Sequence, residues 1–192
     1  MTKKKLHIKI VGTKTLLINA AGAWIIPLEK QERTGVAGND PEEWKQSVLA
    51  DKVGRLYFRN DYAFSCMKNG AKSVGSRMSG LAGKIASTLE VSPEKIFFDR
   101  KLPDGLNSLT EDSNEPVYLD VRIVRREKAA NVRYRVAVKA GWRAEFDVEF
   151  DPTLVQQSQV EACIIEGGRY QGLGDGRKIG FGRFDVESAE EI

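Results

Sequence analysis

The chain has one histidine and two cysteines among its 192 residues, and each scarcity removes a class of function. A Ser-His-Asp triad would have to be built on His7, which sits in the middle of an alternating strand pattern, and no His/Cys spacing marks a zinc site. Cys66 and Cys163 each fall in a mostly apolar, helical-looking stretch; they read as buried thiols of a reducing cytoplasm, not as a disulfide framework. Long hydrophobic runs are also missing. The apolar stretch at residues 16–23 contains Asn19 and is far shorter than the roughly 20 residues of a membrane helix. Lys3, Lys4 and Lys5 precede alternating residues instead of a signal-peptide core, so the reading is a cytoplasmic protein with no membrane contact. Catalytic material is thin. Asp40, Asp51, Asp99 and Asp104 are the carboxylates open to a magnesium-dependent cut, and they are scattered through loops.

What is present is a concentration of positive charge. The net charge is only +3, yet residues 122–143 hold eight basic residues against one acid, Glu127, a net of +7 that leaves −4 elsewhere. One continuous basic segment points to a polyanionic partner more strongly than total charge does. Hydrophobic content of 41% and charged content of 30% suit one domain over residues 1–192.

Leu6, Ile8 and Ile10 alternate with polar neighbours as a first strand. From 13 to 40 the period is lost and glycine and proline interrupt, predicting an irregular excursion; the insertion as a whole extends to about residue 60. Asp40 and Pro41 read as the start of a short helix through about Val53, followed by a strand at 55–59. Asp61 reads as the cap of a helix with Phe64, Met67, Ala71 and Val74 on one face and Lys68 and Lys72 on the other. After a break at Gly75, helix resumes to about Glu90; 95–98 is strand-like and 102–116 a polar loop.

Residues 117–186 are the most legible part of the core. Val117 to Ile123, Val132 to Val138 and Ala144 to Phe150 alternate as three strands. A turn of Lys139, Ala140 and Gly141 would pair the last two as a hairpin, with Arg133 opposite Asp147 and Arg135 opposite Glu145 as structural ion pairs. Ser158 and Glu161 have capping-box spacing for a helix ending at Gly167 and Gly168, and 179–186 reads as a closing strand. The order predicts an α+β fold with a ferredoxin-like (RRM-like) βαββαβ core, a β-hairpin projection and an irregular insertion.

Seven of the 18 glycines fall between 167 and 183. Gly172 and Gly174, with Arg169, Arg177, Lys178 and Arg183 beside them, read as a phosphate cradle of backbone amides and basic side chains. The dinucleotide fingerprint and the P-loop are both excluded: the helix comes before the glycines, and Lys178 is followed by Ile179. No cofactor is expected. Arg122, Arg125, Arg126 and Lys128, with Lys139 and Arg143 at the next turn, would form a finger following a phosphate backbone, and Lys68 and Lys72 would extend the track. Tyr170 is favoured for base stacking, whereas Trp142 suits packing.

The segment G-L-G-D-G-R-K-I-G-F-G-R-F at residues 172–184 resembles the C-terminal glycine-rich motif of the RAMP superfamily, the repeat-associated RNA-binding proteins of CRISPR systems. The likeness runs from about Val117 onward, and the chain looks most like a short, phage-borne relative of the backbone subunit. It implies a ferredoxin-like fold and a non-enzymatic binder of single-stranded RNA or DNA that forms a homo-oligomer along the strand or joins a CRISPR-like complex. Two alternatives stay open: a RAMP-type endoribonuclease, and a phage-encoded backbone-subunit mimic that inhibits a host complex.

Overall fold

The computed structural model describes residues 3–20, 43–74, 80–126 and 129–192, with the side chains of these apart from 43 and 124–131. The expected cap at Asp40 and Pro41, the break at Gly75 and the finger residue Lys128 lie outside the described residues, as do the side chains of Arg125 and Arg126.

A central antiparallel sheet is built from β1 (Lys4–Gly12), β3 (Arg55–Arg59), β4 (Glu90–Ser92), β5 (Lys95–Lys101), β8 (Arg143–Phe150) and β9 (Phe184–Glu191). Its order is β3-β5-β8-β1-β9, with β4 also paired to β8. Helices α1 (Asn60–Gly70), α2 (Leu81–Thr88) and α3 (Gln157–Glu166) supply the other layer. The alternation of the strands explains the arrangement: Leu6, Ile8 and Ile10 of β1 and Phe146, Val148 and Phe150 of β8 share one core with Ala63, Met67, Ile85, Val160 and Ile164 of the helices. The opposite face of the sheet is polar. The protein is thus an α+β fold with mostly antiparallel sheets. Among the described residues, no helix is long and apolar enough to cross a membrane.

A second sheet of three strands, in the order β2-β7-β6, holds β2 (Leu16–Ile18), β6 (Val117–Arg126) and β7 (Ala129–Val138). Strand β2 corrects the expectation that residues 13–20 contain no core element. Its three residues are all buried because both faces are covered: Leu16 and Ile18 enter the main core, and Leu17 joins Tyr118, Ala137 and Phe181 in a separate cluster. A strand buried on two sides has no period-two signal to read.

The expected hairpin between β7 and β8 is not formed. β7 pairs with β6 from Val138↔Val117 to Ala129↔Arg126, whereas β8 pairs with β1. Charge pairing misled the register, because β1 offers basic partners as good as those of β7. Asp147 lies 2.9 Å from Lys5 and 2.8 Å from His7, and Glu145 lies 3.6 Å from His7. Other boundaries also shift. The helix expected after Pro41 is only a short 3₁₀ turn, Glu43–Ser47. Arg59, not Asp61, holds the N-cap position of α1, without a side-chain cap bond, and Asp61 falls in the first turn. The box at α3 is formed by Gln156 and Gln159, whose side-chain oxygen accepts the Gln156 amide at 2.9 Å, two residues before the Ser158–Glu161 pair. The closing strand begins at Phe184, and Ile179 lies exposed in a 3₁₀ turn.

Candidate nucleic-acid interface

The glycine-rich segment begins where two helices meet. A Cβ on Gly167 would stand 2.9 Å from the Cys66 carbonyl, so α1 and α3 approach backbone to backbone there. Burial pushes both the Cys66 and Cys163 thiols up to about 12, leaving them protonated and unreactive near neutrality.

Beyond this crossing the chain folds onto β2 and onto itself. The amide of Gly172 donates to Gly167 O at 2.9 Å, Leu173 to Gly182 O at 2.9 Å, Asp175 to Leu17 O at 2.8 Å and Gly182 to Thr15 O at 2.8 Å. The expectation of a cradle of bare amides is corrected by these bonds, since a buried turn must satisfy its own donors first. Gly172 is itself buried, and Gly174 packs against the Leu17 carbonyl. Their lack of a side chain lets the loop fold tightly. What reaches solvent is the side chains of Arg177, Lys178, Ile179 and, in part, Phe181 and Arg183.

A network of opposite charges pins the loop to the base of the β6–β7 hairpin. Arg135, 4% exposed, donates to Asp120 at 3.1 Å and to Asp175 at 3.1 Å. Arg122 donates to the other oxygen of Asp120 at 2.6 Å, and its guanidinium lies 4.6 Å from the Phe181 ring centroid. Burial by itself would raise the Asp175 carboxyl. Hydrogen bonds from the Gly176 amide, Arg135 and Asn19, with the Arg135 charge, outweigh that and hold it below the ordinary carboxylate range.

Beside this clamp lies an open groove of about 600 Å³ lined by Lys14, Thr15, Lys178, Ile179, Gly180, Phe181 and Arg183. The lining carries three cations and no acid. A smaller recess of about 320 Å³ lies across the loop, where Arg177 faces Asp61, Asp175 and Asn19.

Of the residues expected from sequence, Lys178 and Arg183 line the groove and Arg122 flanks it on Phe181, whereas Gly174 and Arg177 line the recess across the loop and Gly172 is buried. Arg133 is exposed directly opposite Arg122, with no acid partner among the described residues, so its expected pairing with Asp147 is replaced by a second cation at the hairpin base. Other candidates fall elsewhere. Lys139 reaches Asn114 O at 3.0 Å, and Arg143 is held by Glu187 at 2.9 Å on the polar face of the central sheet. Both lie at the opposite end of β7 from the hairpin turn, a separation of roughly 30 Å along a strand of that length. They cannot belong to one finger with residues 125–126, whose backbone pairs at the far end of β7.

Arg169, 3.6 Å from Glu166, and Tyr170, 57% exposed, sit on the turn that continues α3. Lys68 and Lys72 are exposed on and just beyond α1. None of these four lines the groove. Trp142 is fully buried and donates its indole N–H to Lys14 O at 3.0 Å, as packing predicts. Asp51 and Asp99 are tied to Arg55 and Arg100, Asp104 is exposed in a loop, and Asp40 lies outside the described residues.

Sequence reasoning missed Lys14 and Phe181. The signal for Phe181 was its place between Gly180 and Gly182, an aromatic ring set in a glycine loop, which the fold half-buries against Leu17, Tyr118 and Ala137. Lys14 follows β1 in a segment with no readable period.

No family model matches this sequence, and no curated protein matches it either. Among solved structures, the chain matches one in the cryo-EM structure of the Type III-B Cmr-beta bound to cognate target RNA. The TM-score is 0.56 at 10% identity, over 99% of this chain and 61% of the other. The protein thus spans less than two thirds of that neighbour, and the likeness at this identity is one of fold.

Proposed function

We propose that this protein is a CRISPR-related binder of single-stranded RNA that works without chemistry of its own. The strand would be seated between the glycine loop and the base of the β6–β7 hairpin. The observation carrying this reading is the groove of Lys14, Lys178 and Arg183, free of acids and flanked by the Arg122–Phe181 stack. Cations lining an open groove give sequence-tolerant affinity, and the exposed Arg122 guanidinium, stacked on Phe181, offers a planar face for a base.

The fold supports the same reading. Taking β1, α1, β5, β8, α3 and β9 in chain order gives βαββαβ, and their order in the sheet, β9-β1-β8-β5, is that of a ferredoxin-like core. On this view residues 1–192 are one RAMP-like domain. The strands β2, β6 and β7 form the added sheet that carries the loop, and assembly into a multi-subunit complex or along the RNA follows by likeness to the Cmr-beta neighbour.

The test is fluorescence anisotropy with labelled single-stranded RNA and DNA at low salt. Lys14→Ala combined with Lys178→Ala removes two exposed charges without touching the core, and adding Arg122→Ala removes the stacked guanidinium. Binding is expected to weaken by about tenfold or more in the triple variant. Affinity that is absent in the wild type, or equal in wild type and variant, overturns the proposal.

A further inference from the structure

The polar face of the central sheet is not uniform. Over β1 and β8 it interleaves opposite charges that satisfy one another, with Lys5 at 2.9 Å from Asp147 and Arg143 at 2.9 Å from Glu187. At the β3–β5 edge its chemistry changes. Leu56, Phe58, Ile96 and Phe98 are buried toward the helices, so alternation turns Tyr57 and Phe97 to the outer face, where they pair across the strands with ring centroids 5.7 Å apart. The register sets Arg59 opposite Lys95 on one side of this aromatic rung and, beyond a bulge that passes Asp99 and Arg100, Arg55 opposite Lys101 on the other; Asp99 is taken up by Arg100 and the Arg143 amide. The Arg55 guanidinium lies 4.4 Å from the Phe97 centroid and the Lys95 ammonium 5.2 Å from that of Tyr57. Asp51 and Asp61 neutralise Arg55 and Arg59, whereas Lys95 and Lys101 are exposed with no carboxylate partner among the described residues.

The end of β5 and the groove stand at the same end of the sheet. Arg100, next to Lys101, donates to Gly141 O at 3.1 Å, Gly141 N donates to Gly12 O at 2.7 Å, and Lys14 N donates to Arg183 O at 3.1 Å. The C-terminal ends of β5 and β1 thus stand at one end of the sheet, separated only by β8, a gap of about 10 Å.

We infer that the outer face of β3 and β5 is a second contact surface for the same single strand. Bases leaving the groove stack on Tyr57 and Phe97, and Lys95 and Lys101 meet the phosphates on either side. Two features select nucleic acid over a protein partner: rings enclosed by cations match a ligand that alternates flat bases with anionic phosphates, and the patch shares one end of the sheet with a groove of the same character. The inference rests on the reading of the groove as an RNA site, and it extends that site across the end of the sheet.

The experiment compares labelled single-stranded RNAs of about four and about sixteen nucleotides, lengths that fill the groove alone or reach the second surface. Tyr57→Leu with Phe97→Leu keeps apolar bulk but removes the π faces; Lys95→Glu with Lys101→Glu leaves the rings and core in place. Each pair is expected to weaken the longer RNA by about tenfold and leave the shorter one within about twofold of wild type. Wild-type affinity for the longer RNA in both variants overturns the inference, and so does equal loss at both lengths. Where Lys14→Ala with Lys178→Ala weakens both RNAs and the β3–β5 variants weaken neither, the groove stands and the extension falls. If the wild type binds neither length, both fall.

Discussion

Arg135 is the residue on which the site is organised. Its side chain crosses from the hairpin to the loop, joining Asp120, 5% exposed, to the half-buried Asp175. A buried guanidinium and its carboxylates gain little net stability against apolar replacements, but their geometry fixes which surfaces meet. The sign of the pH effect follows from Asp175. Its carboxyl is held below its unfolded value of about 4, so its contribution is present above that pH and fades as acidification protonates it in the folded state. Asp175→Asn removes the charge at every pH. The difference in unfolding free energy between wild type and Asp175→Asn is expected to be about 1–2 kcal/mol near pH 7 and to be smaller at pH 3, shrinking further as the pH falls through the folded-state pKa. Urea titrations at the two pH values measure it, and the other acids cancel in the difference. A gap as large at pH 3 as at pH 7 would show that the Arg135 contact does not depend on the carboxylate charge.

At the scale of elements, the glycines of the loop divide by what surrounds them. Gly182 has φ +68°, and a Cβ there would overlap the Leu173 carbonyl; Gly83 lies inside α2 with nothing within 4 Å of a Cβ. Gly182→Ala is therefore expected to lower stability by at least about 2 kcal/mol through strain and overlap, whereas Gly83→Ala raises it by about 0.5–1 kcal/mol as a better helix former. Thermal unfolding of the two variants checks both signs. The same contrast explains what was legible in the sequence. Strands with one polar face, such as β1 and β8, declare themselves by alternation. β2 does not, because its Leu-Leu-Ile triplet is covered on both sides. Composition marked the glycine segment as special, but could not show whether its amides faced a ligand or the chain itself. Strand pairing was least readable. Asp147 and Glu145 found Lys5 and His7 on β1 instead of Arg133 and Arg135 on β7, and nothing in local charge separates the two solutions.

For the whole molecule, the basic segment at 122–143 does not act as one patch. Arg122 and Arg133 pair about midway along β6 and β7, with Arg122 against Phe181 of the loop, whereas Lys139, roughly 20 Å further along the strand, and Arg143 are bound to protein oxygens. Cations distant in sequence replace them: Lys14 after β1, with Lys178 and Arg183 before β9, complete the groove. This division predicts the salt dependence of binding. Four cations in contact with a single strand, Lys14, Arg122, Lys178 and Arg183, give a slope of log affinity against log salt of about −3. Had all eight basic residues of the segment bound phosphate together, the slope would be about −6. Measured with an RNA of about ten nucleotides on the Lys95→Glu, Lys101→Glu variant between low and moderate salt, a slope near the first value places the polyanion in the groove. A slope near the second returns the interface to the hairpin segment as a whole, and substituting Lys139 and Arg143 by Ala then flattens it, a change the groove does not allow.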